Sequence, residues 1–581
     1  MYTVLKNTQI VIALLKEYGI KHIVISPGTR NGPFVHSLEE DDYFKCYSVV
    51  DERSAAFFAL GIARQLREPV VISCTSSTAA CNYFSAVTEA YYSHIPLVVL
   101  TSDRSPYTRG QLEKQQIEQV GMYGKMCRVS VDLPLEIHDD DEFWYCERLV
   151  NEALMELSHH EGGPVQINMP AYYNLEYFTE SKLPLVKRIY RNSLRSPYSE
   201  HESRLADLLH TTGKIMVMCG AHAPWTSDMQ EKLRRFLNIY NCALVGQHMS
   251  NLNMSEMIPI TAGTDICNCL VGHEPDILIS IGGPTQMMYF EKLRKSKVKH
   301  WLVNEDGDIE DPTRHLTDIF ECPLETFFDY FISHVHADWV GSGEYQAEVS
   351  TAVNQYTTSR PELDVFSNIY VIREFCKLVP SGAIVNMSIL NAIRIVETFP
   401  LAENVEVYAN VGAYGIDGCM STFMGQASVA MGPAYHVTGD LSFLYDMNSI
   451  WIRHVGDNVH ILLINNYEGI EMRRSYRNHG DVRRYITAGH HVSPKGWIED
   501  NGFHYYTATS KSELAEVMPT FVNDNKKCVL EVFTSGIDDD KEAFNYYSLQ
   551  NTSMNGVLKS KVKSVLGDEG VYKLKKIIGR K

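Results

Sequence analysis

Two short apolar runs, Ala434–Thr438 and Val459–Ile464, constrain this chain more than any other feature, because each stops at a polar pair. Gly439-Asp440 follows the first run and Asn465-Asn466 follows the second. Between them, Leu444 to His454 carries apolar residues at helical spacing, which predicts a strand–helix–strand unit of a parallel sheet. In such sheets ligands sit outside the carboxyl ends of the strands, where both polar pairs fall. An Asp carboxylate, an Asn amide oxygen and a main-chain carbonyl just beyond offer half an octahedron to a hard cation such as Mg2+. A diphosphate fills the rest. Gly439 lets the backbone come close to phosphate, and the following helix N-terminus favours negative charge. A Gly-Asp pair alone is an ordinary turn; the Asn-Asn pair one helix later makes the pattern specific.

The rest of the chain supplies three α/β units around this one. Residues 1–185 alternate helices with the apolar runs His22–Ile25, Phe44–Val49, Val70–Cys74, Pro96–Leu100 and Val165–Met169. Residues 190–350 repeat the pattern with Ile215–Met218, Ala243–Val245, Ile277–Ile281 and Trp301–Val303. Residues 360–555 do so again with Ile384–Asn386, Val405–Tyr408, the two runs above and Val529–Phe533. The fold class expected is α/β, with three doubly wound parallel-sheet domains. In the first unit four polar clusters directly follow strands: SPGTRNGP from Ser26, DERSAAFFALG from Asp51, CTSSTAACNY from Cys74 and LTSDR from Leu100. All four should meet at one sheet edge. The middle unit has no GxGxxG after a strand, and Gly282-Gly283-Pro284 is too short to argue for a dinucleotide, so it reads as a spacer.

Gly-Asp followed by Asn-Asn resembles the diphosphate–magnesium motif of thiamine diphosphate (ThDP) enzymes. That resemblance implies ThDP and Mg2+ as cofactors, with Asp440, Asn466 and the Glu468 carbonyl on the metal and Gly439, Leu441 and Ser442 beside the diphosphate. Ile416, in the glycine-rich turn YANVGAYGIDG, is the candidate apolar wedge beneath the cofactor. Glu52 has two readings. It is a helix-start carboxylate stabilised by the helix dipole, or it is the carboxyl group that ThDP needs to hydrogen-bond its pyrimidine N1′.

Within that superfamily, SPGTR, DERSAAFFALG, CTSSTAACNY, LTSDR, YGIDG and GDLSFLYDMN are similar to the menaquinone-pathway SEPHCHC synthases. Members decarboxylate 2-oxoglutarate and add the succinyl carbanion to isochorismate. The first domain of one subunit faces the third domain of another, which implies a homodimer or homotetramer. Thr29, Arg30, Arg104, Gln115 and Ser388 fall at substrate-pocket positions of the family. Other basic positions have changed. The family's Lys-Arg pair in the middle domain aligns with Met288 and Tyr289, its Arg four residues after the matched Ser388 with Ala392, and its Arg before the GxxGIDG turn with Val411. Glu471 stands in a run where the family has apolar residues, and Ser77 replaces a glycine. Polycarboxylate substrates are usually held by arginines, and truncating one partner of a buried charge pair costs roughly 2–5 kcal/mol. The expectation is a relative that keeps the carbanion chemistry, joining a 2-oxo acid donor to a carbonyl or alkene acceptor, with changed substrates. Arg394 is a nearby cation that would partly compensate, and Glu471 is a second catalytic candidate, for proton transfer. His479, His490 and His491 are proton-transfer groups or exposed loop residues. Two alternatives stand beside this reading: the family's own reaction, and a non-catalytic ThDP-binding scaffold.

A net charge of −18 argues against a nucleic-acid binder, which would need a basic surface. Thirteen scattered cysteines without a CxxC pair fit a reducing cytoplasm, and no apolar stretch is long enough to span a membrane. Residues 556–581 form a basic tail that suits an acidic lipid surface, a solvated helix or disorder.

Overall fold

The computed structural model describes residues 1–191, 200–286, 288–334, 342–475 and 483–548. His479 and the basic tail lie outside the described residues. Three six-stranded sheets follow one another along the chain, every pairing parallel. The first holds β1 (His22–Ile25), β2 (Lys45–Ser48), β3 (Val70–Cys74), β4 (Leu97–Asp103), β5 (Ser130–Asp132) and β6 (Val165–Pro170), in the order β2-β1-β3-β4-β6-β5. The second holds β7 (Ile215–Cys219), β8 (Cys242–Gly246), β9 (Ile258–Pro259), β10 (Ile277–Ile281), β11 (Lys299–Asn304) and β12 (Leu316–Glu321), in the order β12-β11-β10-β7-β8-β9. The third holds β13 (Ile384–Met387), β14 (Glu406–Ala409), β15 (Ala434–Gly439), β16 (Val459–Asn465), β17 (His504–Ala508) and β18 (Cys528–Phe533), in the order β14-β13-β15-β16-β18-β17. The first and third sheets therefore share one topology, and in each the strand order reverses between the first and third strands. That reversal opens a crevice at the carboxyl edge, between β1 and β3 in one sheet and between β13 and β15 in the other.

Inner strands are buried over most of their length because helices cover both faces; β3, β4 and β16 are buried at every position. This is why they read as unbroken apolar runs. The four strands that the apolar pattern does not announce, β5, β9, β12 and β17, are all edge strands at the sheet margins. β12 and β17 are half-exposed and carry charged or polar residues, so they lack a continuous apolar signal.

The first and third sheets are joined by the crossing of two helices, Glu52–Leu66 and Cys419–Val429. The crossing is closest at Gly61 and Gly425. A Cβ on Gly61 would lie 2.0 Å from the Thr422 carbonyl oxygen, and one on Gly425 would lie 2.0 Å from that of Phe58. Phe57, Phe58 and Leu60 are buried there, and each such side chain contributes about 1.5–3 kcal/mol of transfer free energy.

The helix expected over 444–454 is not continuous. A short helix runs over Asp440–Tyr445 and a 3-10 turn over Met447–Trp451. The break falls at Asp446, whose buried carboxylate turns inward to accept from the Ser421 N–H and hydroxyl, each at 2.6 Å, at the start of the Cys419–Val429 helix. A long-range partner has overridden the local periodicity. The turn over 411–418 also differs in detail: its left-handed residue is Tyr414 (φ 57), not one of its glycines.

Candidate active site

In the third domain Ser388 follows β13, Ile416 follows β14, Asp440 follows β15 and Asn466 follows β16, so the flagged residues converge on the crevice between β13 and β15. Hydroxyls tie its floor together. Ser388 Oγ lies 2.7 Å from Thr438 Oγ1 and 3.1 Å from Ser442 Oγ, and Ser442 donates to the Ile416 carbonyl at 3.0 Å. The half-buried wedge Ile416 is thereby held at a set height above the sheet edge. Gly439, Asp440, Leu441, Ser442, Asn466, Glu468, Ile416, Ser388, Ala392 and Glu471 line one cavity of about 120 Å3.

Asp440 is buried. Its Oδ1 accepts the Leu441 N–H at 2.7 Å and its Oδ2 the Asn466 N–H at 3.2 Å. Burial raises its carboxyl above the usual range, against the pull of the Leu441 N–H, of His490 and of the Tyr467 N–H. Asn466 accepts the Glu468 N–H on Oδ1 at 3.3 Å and donates from Nδ2 to Asp539 at 2.9 Å. The Glu468 side chain turns away to pair with Arg473, leaving its carbonyl as the group relevant to the cavity.

Two contacts here could not be read from the sequence, although it flags the residues that make them. His490 is not a solvent-exposed loop residue: its N–H donates to the Tyr467 carbonyl, which draws the loop over the end of β16, and Nε2 lies 3.2 Å from Asp440 Oδ2. That Nε2 is buried, and the Asp440 carboxylate is the polar group it approaches, without a well-aligned hydrogen bond. His491 remains exposed. Arg394 is paired with Glu471, which lines the cavity, at 2.5 Å, the two side chains being 28% and 21% exposed. The added carboxylate and the compensating arginine cancel each other.

At the edge of the first domain the four polar clusters meet as expected. Arg30 and Arg104 face one another closely enough that burial and the Arg104 charge hold the Arg30 guanidinium below its ordinary value. Arg104 reaches Glu113 at 3.8 Å. Ser77 (φ 79) sits in a left-handed turn, where a glycine would be unstrained; its N–H donates to Gln119. The Gln115 carbonyl accepts from Ser76 at 2.8 Å, while the Gln115 and Thr29 side chains are exposed. Glu52 opens its helix and is half-buried; Asp51 caps the helix by accepting from the Arg53 and Ser54 N–H groups. Burial first, and then the charge of Asp51, raise the Glu52 carboxyl above its ordinary value. Neighbours of Glu52 are clamped by the third domain, Arg53 to the Tyr445 carbonyl at 2.8 Å and Asp51 to Asn448 at 2.8 Å.

Glu52, Arg30 and Arg104 are not among the residues lining the Asp440 cavity. A larger cavity of about 660 Å3 opens where the three domains meet; Gly282, Gly283, Pro284 and Val411 line it, but none of the candidate cofactor, metal or substrate residues does. We therefore place the site at the smaller one. Met288 is exposed and Tyr289 buried at the start of a middle-domain helix, away from the Asp440 cavity.

Residues 5–122 match the family model described as thiamine pyrophosphate enzyme, N-terminal TPP binding domain. A 2-succinyl-5-enolpyruvyl-6-hydroxy-3-cyclohexene-1-carboxylate synthase from Bacteroides fragilis is 35% identical over 571 residues, covering 94% of this chain and 99% of the relative. One of the same name from Phocaeicola vulgatus is 33% identical over 572 residues, with the same coverage of each chain. Among solved structures, benzoylformate decarboxylase from Polynucleobacter necessarius superposes with a TM-score of 0.68 at 14% identity, covering 92% of this chain and 99% of that one, which is a likeness of fold.

Proposed function

This chain belongs to the 2-succinyl-5-enolpyruvyl-6-hydroxy-3-cyclohexene-1-carboxylate synthase family of ThDP-dependent enzymes, and from that premise we propose that it decarboxylates a 2-oxo acid smaller than 2-oxoglutarate and transfers the acyl carbanion to a carbonyl or alkene acceptor. The observation that carries the change of donor is the Arg394–Glu471 pair. With Ala392 in place of the family's arginine, the nearby Arg394 is neutralised by Glu471, and Arg473 by Glu468. Among the described residues a donor with a distal carboxylate therefore meets only cations that are already paired; pyruvate needs none.

The residues present fit the cofactors. Asp440, Asn466 and the Glu468 carbonyl form an all-oxygen donor set, which suits Mg2+, and a cation would compensate a carboxylate that burial alone disfavours. Gly439, Leu441 and Ser442 would flank the diphosphate, and Ile416 would support the cofactor from below. ThDP, when bound, supplies the carbon nucleophile that takes up the 2-oxo acid and releases CO2. Glu52 would face the pyrimidine N1′ as the proton-holding carboxyl, and burial raises that carboxyl above its ordinary value. Arg30 and Arg104, with Thr29 and Gln115 beside them, would receive an anionic acceptor; their mutual repulsion is relieved when a carboxylate binds between them. Ser388 would border the donor. Because Glu52 does not line the Asp440 cavity of its own chain, we take the active unit to be a homodimer or homotetramer in which the two halves of the site come from different subunits. None of the thirteen cysteines is in a disulfide, and we take the protein to be cytoplasmic. Among the described residues no helix is long and apolar enough to cross a membrane.

The family's own reaction is the second reading, favoured by the intact Arg30–Arg104 pair. The two separate in an assay of CO2 release from pyruvate, 2-oxoglutarate and related acids, with Mg2+ and ThDP, with and without isochorismate. Release from small acids alone supports the changed donor; release from 2-oxoglutarate with isochorismate consumed establishes the family reaction. No release from ThDP-loaded protein with any acid points to the scaffold.

A further inference from the structure

Asp539 is 73 residues from Asn466 and belongs to no motif, yet it accepts the hydrogen bond that the Asn466 amide nitrogen donates. It lies in the helix Gly536–Ser548 behind β18, fully buried. Three donors converge on its carboxylate: Asn466 Nδ2 at 2.9 Å and Thr534 Oγ1 at 2.8 Å on Oδ2, and the Asn368 N–H at 2.7 Å on Oδ1.

An Asn side chain is useful to a cation only from its oxygen edge, and its two edges are nearly equal in shape. Something must decide which edge faces the metal. A neighbour that can both donate and accept decides nothing; a carboxylate whose two oxygens are both engaged in accepting, as those of Asp539 are, admits only the NH2 edge. We propose that Asp539 is a positioning residue for the cation site: by accepting from Asn466 Nδ2 it turns Asn466 Oδ1 towards Asp440 and the Glu468 carbonyl. Oδ1 already accepts the Glu468 N–H on that side. The inference rests on the assignment of Asp440 and Asn466 to a divalent cation and adds a residue that touches neither cation nor cofactor. Groups that orient metal ligands in this way typically carry about 10–100-fold in metal affinity. The bland alternative is that Asp539 merely pins the first turn of the helix Asn368–Cys376, where it accepts the Asn368 N–H.

The test is an exchange of the two side chains. Mg2+ affinity is measured by calorimetry in the presence of ThDP for the full-length wild type, D539N and D539N/N466D, alongside the melting temperature of each apoprotein. In D539N an NH2 group replaces one acceptor, the Asn466 amide is no longer held, and Mg2+ affinity should fall by about 10-fold or more. In D539N/N466D the pair is restored in the opposite sense. The carboxylate now at position 466 offers oxygen on both edges, and the amide now at position 539 can donate to it. Affinity should return to within about threefold of wild type, a difference of under 1 kcal/mol. Unchanged affinity in D539N overturns the proposal. So does a loss in D539N that the exchange fails to repair, which would leave only the helix-pinning role. If D539N does not fold, the double variant decides alone, since a folded double variant with weak Mg2+ binding is equally fatal. ThDP binding by the wild type that is indifferent to Mg2+ would instead remove the cation site itself.

Discussion

Replacing Glu471 by Leu, an apolar residue of the kind the family carries there, should move donor preference towards 2-oxoglutarate by releasing Arg394. The pair is neither exposed nor fully buried, at 28% and 21% exposure and 2.5 Å. Exposed pairs contribute about 0–1 kcal/mol and buried ones cost roughly 2–5 kcal/mol when broken, so about 1–2 kcal/mol is the appropriate figure here. A substrate carboxylate that takes the place of Glu471 on the freed guanidinium recovers that amount. This corresponds to about a 5–30-fold rise in kcat/KM for 2-oxoglutarate relative to pyruvate, at 1.4 kcal/mol per tenfold. Initial rates of CO2 release with each donor measure the ratio, and E471L/R394M is the control that removes the cation altogether. An unchanged ratio in E471L, or a gain that survives in E471L/R394M, refutes the reasoning. Loss of turnover with every donor also refutes it, and assigns Glu471 to proton transfer.

Glu52→Gln should abolish CO2 release while leaving ThDP affinity within about twofold, because the amide keeps the shape and loses the acid; calorimetry and the donor panel check both. Asp440→Ala should weaken Mg2+-dependent ThDP binding by at least about 10-fold, again by calorimetry. Glu89→Ala removes a buried carboxylate that accepts the Gly412 and Ala413 N–H groups and pairs with buried Arg64, and should lower unfolding free energy by about 3–5 kcal/mol in urea titrations. Burial raises the Asp446 carboxyl to about 7, so the folded chain holds this proton more tightly than the unfolded one. Its contribution to stability is complete below about pH 4, the unfolded value, and is lost as pH rises to about 7. Relative to Asp446→Asn, wild type should therefore lose up to about 4 kcal/mol across that window, at 1.36 kcal/mol per unit.

Much of the candidate site was legible because its residues follow strands. β1, β3 and β10 begin and end where their apolar runs do, and Asp440 and Asn466 are polar residues placed directly after two of the longest runs. Where a residue acts through distant partners, the local pattern was silent or misleading. Periodicity over 444–454 predicts one helix, but Asp446 breaks it to reach Ser421. His490 reads as a loop residue until the Tyr467 carbonyl brings it against Asp440.

What the sequence determined by itself was the α/β alternation and the gathering of oxygen-rich side chains at the carboxyl edge of the third sheet, because these depend on apolar periodicity and on residues adjacent to strand ends. Only the tertiary structure decided that Glu471 neutralises Arg394 across 77 residues, that Asp539 accepts from Asn466 across 73, and that Glu52 does not line its own chain's Asp440 cavity. Charge pairing and amide orientation depend on distances of a few ångströms between segments remote in the chain, and periodicity carries no record of them.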